Sequence, residues 1–320
     1  MKFRPVLEHY DIAAIVPCYN EETAVGTVVR ELIAGVPGIK VYVYDNASTD
    51  ETAKVATAAG AIVRHESRRG KGNVVRRAFA DIEADVYLLI DGDDTYDAAA
   101  AREMIRALIE ENLDHVLGCR DDRQPKSAYR PGHAAGNRAF NRLVGFLFND
   151  KVTDMLSGYR VFSRRFVKSF PALSQGFEIE TELTVHSMGM RVPQLEVKVG
   201  FKDRPEGSVS KLSTVKDGFK ILNLIVQLFV HERPFAFYGL LSALFFAFTL
   251  SFGVPVVFEF AQTGLVDRLP TAVLAALLGV LSFVSLTLGA ILSGVLRGRR
   301  EAMRLNYLRL PSLGAVRAET

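Results

Sequence analysis

Tryptophan is absent from this chain, and cysteine occurs only twice, at Cys18 and Cys119. Two distant cysteines do not form a metal-binding cluster. Each lies in or at the end of an apolar, strand-like run, so they read as buried, reduced thiols suited to a reducing compartment. An excess of charge is also missing. The formal net charge is +3 over 320 residues, too little for a nucleic-acid binder, whose basic residues would dominate a face. Glu8, His9 and Asp11 interrupt the N-terminal stretch, and the apolar run after them is too short for a signal peptide. Glycine is missing from the first strand-to-helix loop, Pro17-Cys18-Tyr19-Asn20-Glu21-Glu22. The glycine-rich basic loop that would mark a nucleotidyltransferase is therefore not there.

What is present changes character near residue 233. Before it, short apolar runs at 12–16, 40–44, 61–64, 85–90 and 115–119 alternate with helical stretches at about 21–34, 49–59, 71–83 and 98–111. That alternation predicts a mostly parallel sheet between helices, with ligands at the carboxyl ends of its strands. Asn20 and Glu21, Asp45, Asp91 and Asp93 fall at those ends. From about 120 to 210 the pattern turns irregular, with helices at 134–148 and 177–189 and a strand at 192–200.

Residues 235–258 and 272–296 carry no charge. Each run of ~24 residues gives ~36 Å of helix, enough to cross a hydrocarbon core of ~30 Å. The alternative is a pair of buried core helices. Lys220, Arg233, Arg297, Arg299, Arg300, Arg304 and Arg309 flank the pair, which puts both ends and the large N-terminal domain on the cytoplasmic side. The predicted organisation is a domain over 1–210, an amphipathic interfacial region over 211–233, two spans within 234–298 and a basic cytoplasmic tail over 299–320. Within the interfacial region Lys216, Lys220, Asn223 and Gln227 share a face opposite Phe219, Leu222, Ile225, Val226 and Phe229. A helix packed on the soluble domain would show the same pattern.

Asp91-Gly92-Asp93-Asp94 leaves the fourth strand. Carboxylates at i and i+2 there can converge on Mg²⁺ or Mn²⁺, with phosphate oxygens completing the shell, and Gly92 would permit a tight turn. Acidic turns are common, so the pair is weak evidence alone. In Pro17 to Glu22, Glu21 and Glu22 suit a helix start, while Tyr19 and Asn20 could stack on or hydrogen-bond a base and ribose. In Asp45-Asn46-Ala47-Ser48-Thr49-Asp50, Ser48 or Thr49 can cap the next helix; Asp45 has no such local role. Arg68-Arg69-Gly70-Lys71-Gly72 is a basic turn that could approach phosphate or base, or be a solvated loop.

The order of these motifs resembles the GT-A fold of family 2 inverting glycosyltransferases. Gly118-Cys119-Arg120 is similar to that family's GSR segment, Asp154 through Ser157-Gly158-Tyr159-Arg160 to D-x-x-SGFR, and Arg204 through Ser208, Ser210 and Lys211 to R-x-x-G-x-S-K. With the C-terminal hairpin, the chain resembles the dolichol-phosphate mannose synthase-like branch, which includes polyprenyl-phosphate glycosyltransferases. The resemblance spans about 11–220. It implies that Pro17, Tyr19, Asn20, Glu21, Asp45, Lys71, Asp91 and Gly92 hold the nucleotide sugar and that Asp91 and Asp93 bind the metal. It implies that Arg120, Arg130 or His133, Arg160, Ser210 and Lys211 meet phosphate, and that Asp93, Asp154, Arg120 and Lys211 serve the transfer. Thr95 stands where that branch often has Gln, so a third ligand is not implied. Processive polysaccharide synthases share a QxxRW segment that a chain without Trp lacks. The expected reaction is hexose transfer from a UDP- or GDP-sugar to a membrane polyprenyl phosphate. The alternative acceptor is a hydroxyl of a glycolipid or envelope polysaccharide, for which Glu178, Glu180 and Glu182 are candidate bases. Oligomers are common in that branch, so a homo-oligomer is compatible with the resemblance.

Overall fold

The computed structural model describes residues 6–120, 153–176, 178–202, 227 and 229–315. The first compact unit comprises residues up to 212 together with 302–320, and the second comprises 213–301.

The first unit is built on a seven-stranded mixed sheet of order β3-β2-β1-β4-β6-β5-β7. Its strands are β1 (Ile12–Cys18), β2 (Lys40–Asp45), β3 (Ile62–His65), β4 (Val86–Leu89), β5 (His115–Arg120), β6 (Arg160–Ser163) and β7 (Gln194–Val199). The helices are α1 (Val25–Gly35), α2 (Thr52–Ala58), α3 (Lys71–Asp81), α4 (Ala101–Glu110), α5 (Arg164–Ser169) and α6 (Glu178–Met190). All strand pairs are parallel except those of β6, which runs antiparallel to both β4 and β5.

Strand periodicity assigns the two faces. Ile12, Ala14, Val16 and Cys18 of β1 join one buried cluster with α1, α2 and α4, where Val25, Val28, Leu32, Met104 and Leu108 pack. Ala13 and Ile15 join the other with Val75 and Phe79 of α3, Phe166 of α5 and Leu183 of α6. A layer of helices therefore covers each face, and polar loops are left at the strand ends.

Two local outcomes differ from the sequence reading. The first strand was expected to end at Pro17 but continues to Cys18. Ile15 is the last residue whose carbonyl serves β4, receiving Ile90 N–H, while Cys18 faces β2 and receives Asn46 N–H. By alternation Pro17 faces the side where pairing with β4 has ended, so its missing N–H costs the ladder nothing. Strand β6 and helix α5 were not foreseen. A four-residue strand that opens with Arg and is buried on both faces has no readable period.

In the second unit, α7 (Pro234–Thr263) and α8 (Leu269–Leu308) outrun the two predicted spans at both ends. Both are long and apolar enough to cross a bilayer as a hairpin, and their most apolar stretches are largely exposed. Buried core helices of a soluble protein would not leave Leu244, Val257, Phe283 and Val295 uncovered. Between them Ser282 Oγ lies 3.0 Å from both Ser242 Oγ and Ser242 O. Small, mutually hydrogen-bonded residues let two apolar helices approach closely. Most of the expected interfacial region over 211–233 lies outside the described residues.

The end of α8 belongs to the first unit. Tyr307 is buried in the cluster with Phe79 and Phe162. Its hydroxyl donates to Asp114 Oδ2 at 2.6 Å, and Arg165 Nη2 donates to the same carboxylate oxygen at 2.6 Å. The guanidinium carbons of Arg165 and Arg304 lie 4.6 Å and 4.9 Å from the Tyr307 ring centroid. Beyond the helix, Gly314 N–H donates to Asn112 Oδ1 at 3.1 Å and Leu313 is buried beside Tyr10. Tyr307 and Leu313, expected within a basic tail, are thus buried in the first unit's core. Tyr307→Phe removes a hydrogen bond to a fully buried carboxylate, worth about 1.5–3 kcal/mol. The apparent Tm of the detergent-solubilised chain is expected to fall by several degrees; an unchanged Tm would mean the tail adds nothing to stability.

Candidate active site

The carboxyl ends of β1, β2 and β4 lie side by side, and the loops that leave them are laced together. Asn20, at a left-handed φ of 53°, donates its N–H to Ser48 Oγ at 3.0 Å and accepts Thr49 N–H on Oδ1 at 2.8 Å. Glu21 N–H donates to Thr52 Oγ1 at 2.8 Å, and Glu22 Oε2 accepts Glu51 N–H at 2.9 Å. Asn20 therefore joins the β1 and β2 loops, a structural task beside its expected ligand role. Asp45 is nearly buried; its Oδ1 accepts Ser48 N–H at 3.3 Å and its Oδ2 lies 3.2 Å from His65 Nδ1. Tyr19 presents its ring to Arg69, whose guanidinium carbon is 5.0 Å from the centroid.

Asn46 was not singled out from sequence. Its side chain donates to Glu66 O and Arg68 O at 2.9 and 2.7 Å and accepts Gly70 N–H at 2.7 Å, fixing the basic turn before α3. Arg68 and Arg69 of that turn are exposed, but its end at Lys71 and Gly72 is buried. Gly72 N–H donates to Gly176 O at 3.0 Å and Asn73 N–H to Gln175 O at 3.2 Å. The amides that would make a helix N-terminus an anion site are thus partly engaged by the segment leading into α6. What the turn presents to the site is the Lys71 side chain.

Lys71 is buried, and its Nζ bonds Asp91 Oδ1 and, at 2.6 Å, Glu180 Oε1. Burial alone would lower the ammonium pKa; Asp91 and then Glu180 outweigh it and hold the group well above its ordinary value. Gly158 lies directly against this pair. A Cβ there would fall 2.7 Å from Lys71 Nζ and collide with the Asp91 carboxylate.

Asp93 is buried and accepts the Thr95 hydroxyl on Oδ1 at 2.6 Å. Thr95 therefore orients Asp93 rather than offering a third ligand. Gly92 was expected to permit a tight turn. Its φ is not positive; the space beside it is filled by Cys18 Sγ, which an added Cβ would strike. Cys18 and Cys119 are both free and buried. Among the described residues no group of three His, Cys, Asp or Glu side chains suits a metal ion. Asp91 and Asp93 still fit Mg²⁺ or Mn²⁺ in the way sites with one or two carboxylates do, with substrate phosphates supplying the remaining oxygens.

Buried Tyr96, another residue not singled out, ties the acidic loop to the segment before β6: Gly158 N–H donates to its hydroxyl oxygen at 3.0 Å. The chain after β7 then returns to the same loop. Asp97 N–H donates to Gly200 O at 3.1 Å and Lys202 N–H to Thr95 O at 2.7 Å.

Arg120 and Asp154 are brought together as a bidentate pair, with Nε and Nη2 each 2.7 Å from a carboxylate oxygen. Arg160 contradicts its expected contact with acceptor phosphate. It has no exposed surface, and its guanidinium donates to Ser157 O, Met155 O and Thr184 Oγ1 at 2.8, 2.8 and 2.9 Å. A buried guanidinium must be satisfied within the fold, and backbone carbonyls satisfy this one, so it is a strut. Arg130, His133, Ser210 and Lys211 lie outside the described residues. Of the three candidate bases, Glu180 is committed to Lys71. Glu182 accepts Leu173 and Ser174 N–H at 3.0 and 2.8 Å, and Glu178 is exposed.

A mostly parallel sheet with two carboxylates at the end of its central strand is the arrangement expected of a GT-A glycosyltransferase. Comparison with known proteins agrees. The family described as Glycosyl transferase family 2 matches residues 13–170. Glycosyltransferase AglJ of Haloferax volcanii is 32% identical over 295 residues, covering 92% of this chain and 96% of that protein. Dolichyl-phosphate hexose transferase of the same organism is 28% identical over 223 residues, covering 70% and 96%. Among solved structures, glucosyl-3-phosphoglycerate synthase of Mycobacterium tuberculosis in complex with Mn²⁺, UDP-glucose and phosphoglyceric acid superposes with a TM-score of 0.56 at 20% identity, covering 68% of this chain and 79% of that one. The chain belongs to glycosyl transferase family 2, and it is an enzyme of the hexosyltransferase class.

Two glycines separate fold from function. Gly158→Ala forces only the ends of Asp91 and Lys71 to move, so Tm is expected near wild type while transfer falls about 100-fold. Gly72→Ala meets the Ser174 and Gln175 backbone and is expected to cost about 1–3 kcal/mol of stability. Thermal melts and initial rates on both variants check this; full activity in Gly158→Ala would refute the close approach.

Proposed function

We propose that this enzyme moves a hexose, with inversion, from a UDP- or GDP-linked donor to a membrane polyprenyl phosphate. The observation that carries the reading is the Asp91–Asp93 pair at the end of β4, with Lys71 bound to Asp91. Asp45, Tyr19, Asn20, Glu21 and Pro17 border the nucleoside end. UDP-glucose and Mn²⁺ in the glucosyl-3-phosphoglycerate synthase complex support a nucleotide-sugar donor and a divalent cation.

Asp91 and Asp93 would hold Mg²⁺ or Mn²⁺. Bound there, the cation neutralises charge developing on the leaving diphosphate. Thr95 keeps Asp93 in position, and the Lys71 ammonium adds a second positive charge beside the diphosphate. Arg120, held in plane by Asp154, supplies fixed charge on the acceptor side; Arg130 or His133, Ser210 and Lys211 are further candidates there. An acceptor phosphate oxygen attacks the anomeric carbon as its bond to the donor diphosphate breaks from the opposite face. A phosphate monoester with a second pKa of about 6 is mostly dianionic at neutral pH and needs no strong base. A hydroxyl acceptor needs one. Of the three candidate bases, Glu180 and Glu182 are already engaged by Lys71 and by backbone amides, which counts against both; Glu178, exposed at the start of α6, is the base a hydroxyl acceptor would have to use.

The membrane reading rests on α7 and α8 and on the likeness to a dolichyl-phosphate hexose transferase. Residues on both sides of the hairpin belong to the first unit, which supports two crossings with both ends on one side. Arginine flanks favour the cytoplasmic side.

Purified full-length protein, offered labelled UDP- and GDP-sugars with polyprenyl phosphate and Mg²⁺ or Mn²⁺, is expected to form a lipid-linked sugar. Asp93→Ala should reduce the rate by about 100-fold or more. Failure of every donor would sink the lipid-phosphate acceptor, and full activity of Asp93→Ala would remove its metal role.

A further inference from the structure

Lys71 is bound to the same carboxylate that the proposed chemistry needs for a divalent cation. An ammonium is usually left in water, yet the Lys71 side chain is 6% exposed and lies between Asp91, 27% exposed, and Glu180, 8% exposed. Its Nζ shares Asp91 with the very function assigned to a divalent cation. The backbone on either side of it is fixed, because Gly70 and Gly72 are packed against the backbone of residues 174–176, and Gly158 lies against the ammonium end. Glu180 is the second carboxylate in reach, and it comes from a different element, α6.

We propose that Lys71 is the resident counter-cation of Asp91. It competes with the divalent cation for that carboxylate until a donor diphosphate draws the ammonium away. Glu180 is the positioning residue that keeps the ammonium compensated when it leaves Asp91. The inference rests on the metal role assigned above to Asp91 and Asp93.

The physics is a competition between like charges. A divalent cation on Asp91 and Asp93 would stand beside an ammonium in a site with little water, where repulsion is several-fold stronger than in bulk solvent. Without nucleotide, Lys71 neutralises Asp91 and cation affinity is low. A diphosphate offers Lys71 new oxygen acceptors for its three donors, and Asp91 becomes available. Cation and diphosphate then bind as a coupled pair, each raising the affinity of the other by the same factor. An enzyme built this way does not hold a loaded cation site open to water between turnovers.

The test is Mn²⁺ binding to full-length protein in detergent, followed by the electron paramagnetic resonance signal of free Mn²⁺, with and without UDP or GDP. Wild type is expected to bind Mn²⁺ weakly alone and clearly with nucleotide. Lys71→Met is expected to bind Mn²⁺ about five-fold or more tighter than wild type without nucleotide, and to lose most of the nucleotide dependence. Glu180→Gln, which keeps the shape but leaves Lys71 more dependent on Asp91, is expected to bind several-fold more weakly, and it decides the matter if Lys71→Met does not fold. Nucleotide-free affinity unchanged or weakened in Lys71→Met, or unchanged in Glu180→Gln, overturns the competition while leaving the metal role intact. Wild type that binds no Mn²⁺ with either nucleotide overturns the metal role, and the competition with it.

Discussion

A lysine ammonium taken out of water must be matched by opposite charge or give up its proton. In this fold the requirement falls on Lys71, the first residue of α3, and it is met by Asp91 after β4 and Glu180 on α6. One ion triple therefore joins three elements that are remote in sequence. Breaking such a set by removing one partner leaves an uncompensated buried charge, a cost of several kcal/mol. The surrounding structure reflects that stake. Gly158 has no side chain because the triple fills the space, and Gly70 and Gly72 admit the carbonyls of residues 174–176. Asn46 holds the turn before α3 from the other side.

The same arrangement shapes the chemistry. Five of its carboxylates are already partnered: Asp91 and Glu180 by Lys71, Asp93 by Thr95, Asp154 by Arg120 and Glu182 by backbone amides. Carboxylates held this way are poor candidates to take a proton from an alcohol. This is the ground for proposing a lipid phosphate, which arrives ionised, over a sugar hydroxyl as the acceptor. Arg120 follows the same logic, since its bidentate partner fixes the plane of the guanidinium.

Much of this was legible in the sequence, and the limits have physical causes. The first five strands announce themselves as apolar runs, and their polar termini mark the ligand end of a parallel sheet. Gly92 was read as local punctuation, but the space beside it is filled by Cys18 of a neighbouring strand, and Cys18 is the buried thiol its apolar run implied. Strand β6 escaped because an antiparallel strand buried on both faces and opened by Arg160 carries no alternation. Arg160 itself looked like a ligand, since a buried arginine has the same letter as an exposed one; only the carbonyls of Met155 and Ser157 reveal it as a strut. Asn46, Tyr96 and Glu180 matter through partners 20 to more than 100 residues away, which no local pattern encodes. The docking of Tyr307 on Asp114, 193 residues earlier, belongs to the same class.

That last contact gives the second apolar helix two purposes. Its uncharged stretch suits a bilayer, while its final turns complete the core of the catalytic unit beside Arg165 and Phe162. The first unit's sequence runs on into the hairpin's unit after residue 212 and resumes at residue 302. The account is tested most directly by the nuclear magnetic resonance spectrum of the lipid product. It predicts an anomeric proton coupled to phosphorus, in the configuration opposite to that of the donor sugar. An anomeric proton without phosphorus coupling, or with the donor's configuration retained, would contradict it.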